Sequence, residues 1–349
     1  MSGSLKMTEM VSLFRKELQL CGIKGGETIA VLSEVDNRAD YAAAFMAAAR
    51  SLDAHTFNVN LLPVTGIDSD DRASNVGQTS LAGNRPAIEA LKKADLVVDL
   101  MFLLFSKEQL EIQKAGARII LVVEPFEVLQ RLFPSQQLRD RVEAGEARLK
   151  KAKQLRFTNK IGTDVTYELG AYPTMTEYGF TDTPGRWDHW PGGFLATSAS
   201  DTGVNGRVVM DKGDIVYPFR TYVREPVDFT IRDGYIVDIA GGMDAAFIRN
   251  HMESFNDPRA YAISHIGWGL NEKALWTCHA LGVPGLGMDG RAFYGNVLFS
   301  TGPNIELGGT NDTQCHLDLP MKDCTLYLDD ELIVQDGEVI PREMRAPGR

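Results

Sequence analysis

His316 and Asp318 stand two residues apart in TQCHLDLP, residues 313–320. On a β-strand, residues i and i+2 point to the same side, so the imidazole and the carboxylate converge while Leu317 turns to the opposite face. That is the geometry of a two-ligand metal clamp, and equally of a pair hydrogen-bonded to each other or exposed on a strand. His265 lies in AISHIGWGLN, beside Gly267, Trp268 and Gly269. Glycines at that spacing let a backbone or a ligand come close, although His265 taken alone also reads as a satisfied buried histidine. Together, His265, His316 and Asp318 offer two neutral nitrogens and one anionic oxygen, the 2-His-1-carboxylate set associated with non-haem Fe(II) and O2 chemistry. Three protein ligands on one face leave the opposite positions for substrate and oxygen.

Two other stretches could serve such a centre. EYGFTDTPGRWDHWPGG, residues 177–193, holds Glu177, Asp188 and His189 between Trp187 and Trp190, and Pro184 and Pro191 make it an ordered loop rather than a helix. An acid or base in aromatic, partly dry surroundings can have its pKa tuned for proton transfer; the alternative is that the tryptophans plug the core and His189 caps a turn. DGRAFYGNVLFSTGPN, residues 289–304, brings Arg291, which could orient a substrate oxygen or simply form a salt bridge, and Ser300 and Asn304 as hydrogen-bond donors. The other histidines are read as structural: His55 and His251 in helical or loop contexts, and His279 in a helix.

The elements that must position these residues change character along the chain. In the first half, Met7, Met10, Val11, Phe14 and Leu18 have helical spacing, and TIAVLSE then reads as a buried strand. A helix over Tyr41–Leu52, the strand FNVNLLP, a polar loop through Asp68–Asp71, a helix at Arg85–Lys93, the strand ADLVVDLM, a helix at Lys107–Ala115 and the strand ARIILVVEP follow. Strands alternating with helices imply a mostly parallel sheet covered by helices. No G-x-G-x-x-G follows the first strand, since Gly25-Gly26 precedes it, so nucleotide binding has no support. Leu138, Val142, Leu149 and Ala152 mark a charged linker helix. Beyond it, RVVMDKGDIVYPF, VDFTIRDGYIVDIAGG and CTLYLDDELIVQDGEVIP alternate with a period of two, with Asp-Gly hairpin turns at 233–234 and 336–337 and a helix near Asp244–Met252. The expected organisation is an α/β domain over residues 1–155 and a β-rich α+β metal-binding domain over residues 156–349, with five of the six histidines in the second.

With 349 residues, 44% of them hydrophobic, the chain can fill a sizeable core. A net charge of -11 argues against nucleic acid or an anionic membrane surface as partner. Charged residues interrupt the N-terminal 20 residues, and no later stretch reaches the ~20 apolar residues of a membrane span, so a cytoplasmic location is expected. Cys21, Cys278, Cys315 and Cys324 lack paired spacing and are expected to be reduced, buried thiols.

TEYGFTDTPGRWDHWPGGF, FNDPRAYAISHIGWGLN, GRAFYGNVLFSTGPN and CHLDLPMKDCTLYLDD, in that order, closely resemble the 2,5-dihydroxypyridine 5,6-dioxygenases, ring-opening enzymes of nicotinate, nicotine and picolinate breakdown. The likeness extends into the first half, through ADLVVDLMFLLFS and ILVVEPFEVLQRL. It implies a mononuclear Fe(II) enzyme that inserts both atoms of O2 at the C5–C6 bond of 2,5-dihydroxypyridine to give N-formylmaleamate, and a homo-oligomer. It places the iron ligands on His265, His316 and Asp318, the acid–base groups on Glu177 and His189, and the substrate wall on Leu104, Phe105, Arg291 and Ser300. At Phe105 this chain departs from the pattern, since members carry a histidine beside the leucine that matches Leu104; its proton work would fall to His189 or Glu177. A more distant likeness, carried by P-T-x-T-E at 173–177, H-x-D and the D-G-E hairpin, is to thermophilic-type metalloaminopeptidases, which hold two metals and have a glutamate in the place of His265. A neutral imidazole there removes charge that holds two dications together, so one metal is expected, with Glu177 as a candidate second-site ligand in the hydrolase alternative.

Overall fold

The computed structural model describes residues 2–65, 76–280, 282 and 287–349; the polar loop expected at Asp68–Asp71 lies outside them. The chain forms two compact units, Met1–Pro134 with Glu177–Gly192 and Ser135–Thr176 with Gly193–Arg349. It therefore crosses between units three times. Sequence reading drew one boundary, at 155, because the crossing segments are short and carry little periodicity. The helix Gln136–Leu149, read as a linker, belongs to the second unit, where it packs against the strand Phe194–Ser198. His189 goes the other way, into the first unit.

The first unit is built on the parallel sheet that the strand–helix alternation implies. Its spatial order is His55–Leu61, Thr28–Glu34, Leu96–Asp99, Arg118–Leu121 and Trp187–His189, all parallel. His55 opens a strand rather than lying in a helix or loop. The helix Ser2–Leu20 buries Met10, Phe14 and Leu18, spaced by four so that they fall on one stripe, and Phe14 stacks on Phe45 at 4.0 Å. The stretch 177–193 ends in a real strand, since Trp187–His189 adds to the sheet beside Arg118–Leu121, with His189 opposite Leu121. Pro184 and Pro191 bracket three residues too short to show a period.

The second unit holds two sheets of five and eight strands and a two-stranded hairpin. In the eight-stranded sheet the Asp-Gly turns at 233–234 and 336–337 close hairpins as expected. The five-stranded sheet runs Leu317–Met321, Val297–Thr301, Ile263–Gly269, Phe194–Ser198, Thr174–Glu177, and its first four strands pair antiparallel. Gly267 is required here: a Cβ would stand 2.0 Å from the carbonyl oxygen of Leu195. The glycines around His265 thus serve strand-to-strand approach. The four cysteines are free and buried. No helix among the described residues is long and apolar enough to cross a membrane.

Asp214 anchors the end of the strand Leu317–Met321 in the five-stranded sheet. Its carboxylate accepts from Lys322 N at 2.9 Å and Asp211 N at 2.8 Å, and burial pushes its pKa up to about 7 in spite of those bonds. Unfolded, an aspartate titrates near ~4. Between these values the folded chain holds a proton that the unfolded chain has lost, so stability falls as pH rises from ~4 to ~7, by on the order of a few kcal/mol. Denaturant unfolding across that range should give a shallower decline for Asp214→Asn than for the parent chain; parallel declines would remove Asp214 as the cause.

Candidate metal centre

Three adjacent antiparallel strands bring His265, His316 and Asp318 together. One ligand atom from each lies within 4.8 Å of the others, and the residues are only 4%, 6% and 5% exposed. Asp318 Oδ1 is the meeting point, 3.1 Å from His265 Nε2 and 3.2 Å from His316 Nε2. The pair His316-x-Asp318 shares a side as the period of two requires. The second histidine arrives because Ser300 is opposite Asp318 on one side and the strand carrying His265 lies on the other.

His316 and Asp318 are fixed from behind. His316 Nδ1 lies 2.9 Å from the carbonyl oxygen of Thr301, so Nδ1 carries the proton and Nε2 keeps its lone pair. Asp318 Oδ2 accepts from Arg291 Nε at 2.6 Å, and the guanidinium lies 4.0 Å over the Tyr217 ring. Burial works to raise the Asp318 pKa, but His316, Arg291 and the histidine hydrogen bonds outweigh it and hold the carboxyl well below the usual range. Asp318 is therefore an anion with one oxygen committed to Arg291 and the other turned to the imidazoles. For His265, burial disfavours charge, yet Asp318 and Glu306 raise its pKa to about 9.

The strand carrying His265 is irregular at the site. Pairing with Val297–Thr301 slips between Ile263 and Ile266, so two residues face one, a β-bulge that re-aims a side chain. Ser300 Oγ fills the break: it accepts from His265 N at 2.8 Å and donates to His265 O at 3.0 Å. The single hydroxyl proton is thereby committed to backbone, and the sequence-based expectation of Ser300 as a donor to substrate gives way to one in which it shapes the strand. Asn304 likewise serves its own loop, its Oδ1 accepting from Asn311 N at 2.9 Å. For Arg291 the salt bridge is the alternative realised. Phe299, not a ligand, occupies the register opposite Ile266.

Two buried imidazoles and a carboxylate, all preset by hydrogen bonds, suit a borderline divalent cation with open positions. Among the described residues this is the only His/Cys/Asp/Glu group with that geometry.

The remaining expected site residues belong to the first unit. Glu177 and His189 come together, with His189 Nδ1 4.0 Å from Glu177 Oε2 and the His189 and Glu177 side chains 5% and 7% exposed. Asp188, between them in the expected motif, is fully buried and structural: it accepts from the backbone N of Gly179 and His189 at 2.9 and 2.8 Å and from Arg186 at 2.6 Å. Leu104 and Phe105 fall in the loop after Leu96–Asp99. Like His189 they are at the carboxyl edge of the parallel sheet, where α/β folds place ligands. Asp99 shapes that loop by accepting from Met101 N and Leu103 N at 2.9 and 2.7 Å, and burial lifts its pKa to about 6. Phe102 and Phe105 are held at φ 69 and 66, a left-handed conformation that bulky residues adopt at a cost. Gly77 permits it, since a Cβ there would stand 3.1 Å from Phe105 O. His279 is not in a helix but in a turn, half-buried against Tyr217 Oη at 2.8 Å, and Trp276 nearby donates from Nε1 to Gly213 O at 2.7 Å.

Sequence reasoning overlooked two contributors, Thr301, which acts through its carbonyl, and Glu306, beside His265. A carbonyl leaves no mark in sequence. Glu306 did leave one, as the only charged residue between Arg291 and Asp312.

The chain is similar to known proteins along nearly its whole length. A family model described as 2,5-dihydroxypyridine 5,6-dioxygenase matches residues 9–341. A protein of that name from Pseudomonas putida is 45% identical over 345 residues, covering 97% of this chain and 98% of the relative. The solved structure of 2,5-dihydroxypyridine dioxygenase from Pseudomonas putida KT2440 superposes with a TM-score of 0.94, at 45% identity, over 97% of this chain and 99% of the other. Wild-type AmpT from Thermus thermophilus superposes with a TM-score of 0.62 over 95% and 99% of the two chains, at 11% identity, which shows a shared fold alone.

Proposed function

The chain belongs to the 2,5-dihydroxypyridine 5,6-dioxygenase family, and from that membership we propose that it opens the ring of 2,5-dihydroxypyridine with O2 at the C5–C6 bond to give N-formylmaleamate, using Fe(II) held by His265, His316 and Asp318. The observation that carries the reading is the convergence of those three donors within 4.8 Å. Fe(II) held there would supply Lewis-acidic and redox chemistry for the reaction of the ring with O2.

The protein's own residues set the conditions for that chemistry. Asp318, anionic and locked by Arg291, brings one negative charge to the donor face. The Thr301 carbonyl and the Ser300 hydroxyl set the directions of the two histidines. Burial of all three donors keeps bulk water from the metal side and strengthens each electrostatic contact. Glu177 and His189 are assigned the proton transfers, accepting the phenolic proton of the substrate and returning one after oxygen has added. Their 4.0 Å approach lets a proton on one be stabilised by the other. Phe105 has no group for that work, and Leu104 and Phe105 are assigned to contact with the flat ring.

A two-metal hydrolase is the alternative, and it predicts turnover without oxygen. An assay that follows the dihydroxypyridine absorbance, run aerobically and anaerobically, with and without added Fe(II), tests the proposal. Loss of absorbance should need both O2 and iron. Turnover in the absence of oxygen, or undiminished turnover after chelation, would end it.

A further inference from the structure

His265 has a carboxylate on the side turned away from Asp318. Its Nδ1 lies 3.8 Å from Glu306 Oε1, with both side chains 5% exposed. Among the described residues, neither that nitrogen nor either oxygen of Glu306 has a hydrogen-bond partner. We propose that Glu306 is a positioning residue for His265: its carboxylate accepts a hydrogen bond from the imidazole Nδ1–H, so that the Nε2 lone pair is presented beside Asp318 to a bound cation. This rests on the reading that His265, His316 and Asp318 hold the metal.

Three observations support it. His316 is already oriented in this way, its Nδ1 secured by Thr301 O and its Nε2 turned to Asp318; His265 needs an equivalent, and Glu306 is what faces its Nδ1. A carboxylate buried without a partner is costly, whereas one coupled through an imidazole to a dication is compensated, as in carboxylate–histidine–metal chains. Charge arithmetic agrees: a dication with Asp318, Glu306 and Arg291 leaves one net positive charge, which a substrate oxyanion would cancel. Glu306 is also held in place. Its short 3-10 turn, Ile305–Leu307, starts after Asn304, whose side chain accepts from Asn311 N, while Asn311 Nδ2 donates to Gly302 O at 2.5 Å and Arg259 O at 3.1 Å. The 3.8 Å gap is longer than a hydrogen bond. A cation drawing on Nε2 makes Nδ1–H a stronger donor, which shortens it.

The test uses the full chain, Glu306→Leu, which removes the acceptor at similar volume, and Glu306→Gln, which keeps a neutral one. Fe(II) affinity is measured anaerobically by chelator competition, and the His265 Nδ1–H resonance by NMR on Zn(II)-loaded, 15N-histidine-labelled protein. Glu306→Leu should bind Fe(II) about 10–100-fold more weakly, with partial recovery in Glu306→Gln. In the parent chain the Nδ1–H signal should be strongly deshielded, and it should move upfield in Glu306→Gln, a change that a packing role would not produce. If Glu306→Leu does not fold, Glu306→Gln decides alone, through its affinity and its resonance. Affinity within about twofold of the parent, with an unmoved resonance, overturns the proposal, as does a second metal equivalent per chain that the variants lose, which would make Glu306 a ligand. A parent chain that binds no Fe(II) overturns the metal reading itself, and that result appears before any variant is made.

Discussion

Asp318→Ala should lose iron and ring opening together. A tight protein metal site is worth about 10–16 kcal/mol, so one of three donors accounts for about 3–5 kcal/mol, roughly a hundred- to ten-thousandfold in affinity. Asp318 is also the one anion shared by both histidines and Arg291. Its loss leaves the Arg291 guanidinium without its buried carboxylate, and breaking a buried ion pair costs about 3–5 kcal/mol of fold stability by itself. Asp318→Asn separates the two consequences, since it keeps the volume and an acceptor for Arg291 while removing the charge. Both variants should show iron well below one per chain by metal analysis after desalting, with the lower melting temperature in Asp318→Ala. Stoichiometric iron and parent-like turnover in either one would refute the ligand assignment, and the same loss is expected of His265→Ala and His316→Ala.

His189→Ala and Glu177→Ala should leave iron in place and slow the chemistry. Positioned proton transfer is worth about 10²–10⁴ in rate. The measurement is single-turnover ring opening, with anaerobic enzyme–substrate complex mixed against oxygenated buffer. Because the two side chains approach to 4.0 Å, they should behave as one unit, and the double variant should be little slower than the worse single variant. Rates that multiply in the double variant would show two independent roles, and parent-like rates in both single variants would remove proton transfer from the pair.

The parts of this molecule legible in sequence are those written in local periodicity. The period of two carried His316 and Asp318 to one side, and the strand–helix alternation of the first half gave a parallel sheet with its helices. His265 was legible as a residue type in a glycine-rich strand, and its donor chemistry suggested the set with His316 and Asp318, which the family resemblance then implied as well; the strand order that pairs residues so far apart in the chain was not legible. For Ser300, Asn304 and Arg291 the partners seen are backbone atoms and a carboxylate that no pattern announces. Glu306 was passed over because a lone glutamate in a glycine-rich loop is usually solvated. The stretch 177–193 misled for a physical reason: three strand residues between prolines carry no measurable period, and their membership in the first unit is decided by pairing with Arg118–Leu121.

That last pairing matters for how the chain is made. As the nascent chain leaves the ribosome, the backbone edge of Arg118–Leu121 emerges long before Trp187–His189 has been synthesised to cover it. A bare edge of Ile and Leu residues is a template for wrong partners, and pairing over so long a separation closes slowly. Expression of residues 1–134 or 1–155 alone leaves that edge open for good, so such truncations belong with chaperones or in inclusion bodies, and a first unit produced by itself must carry residues 177–192 along.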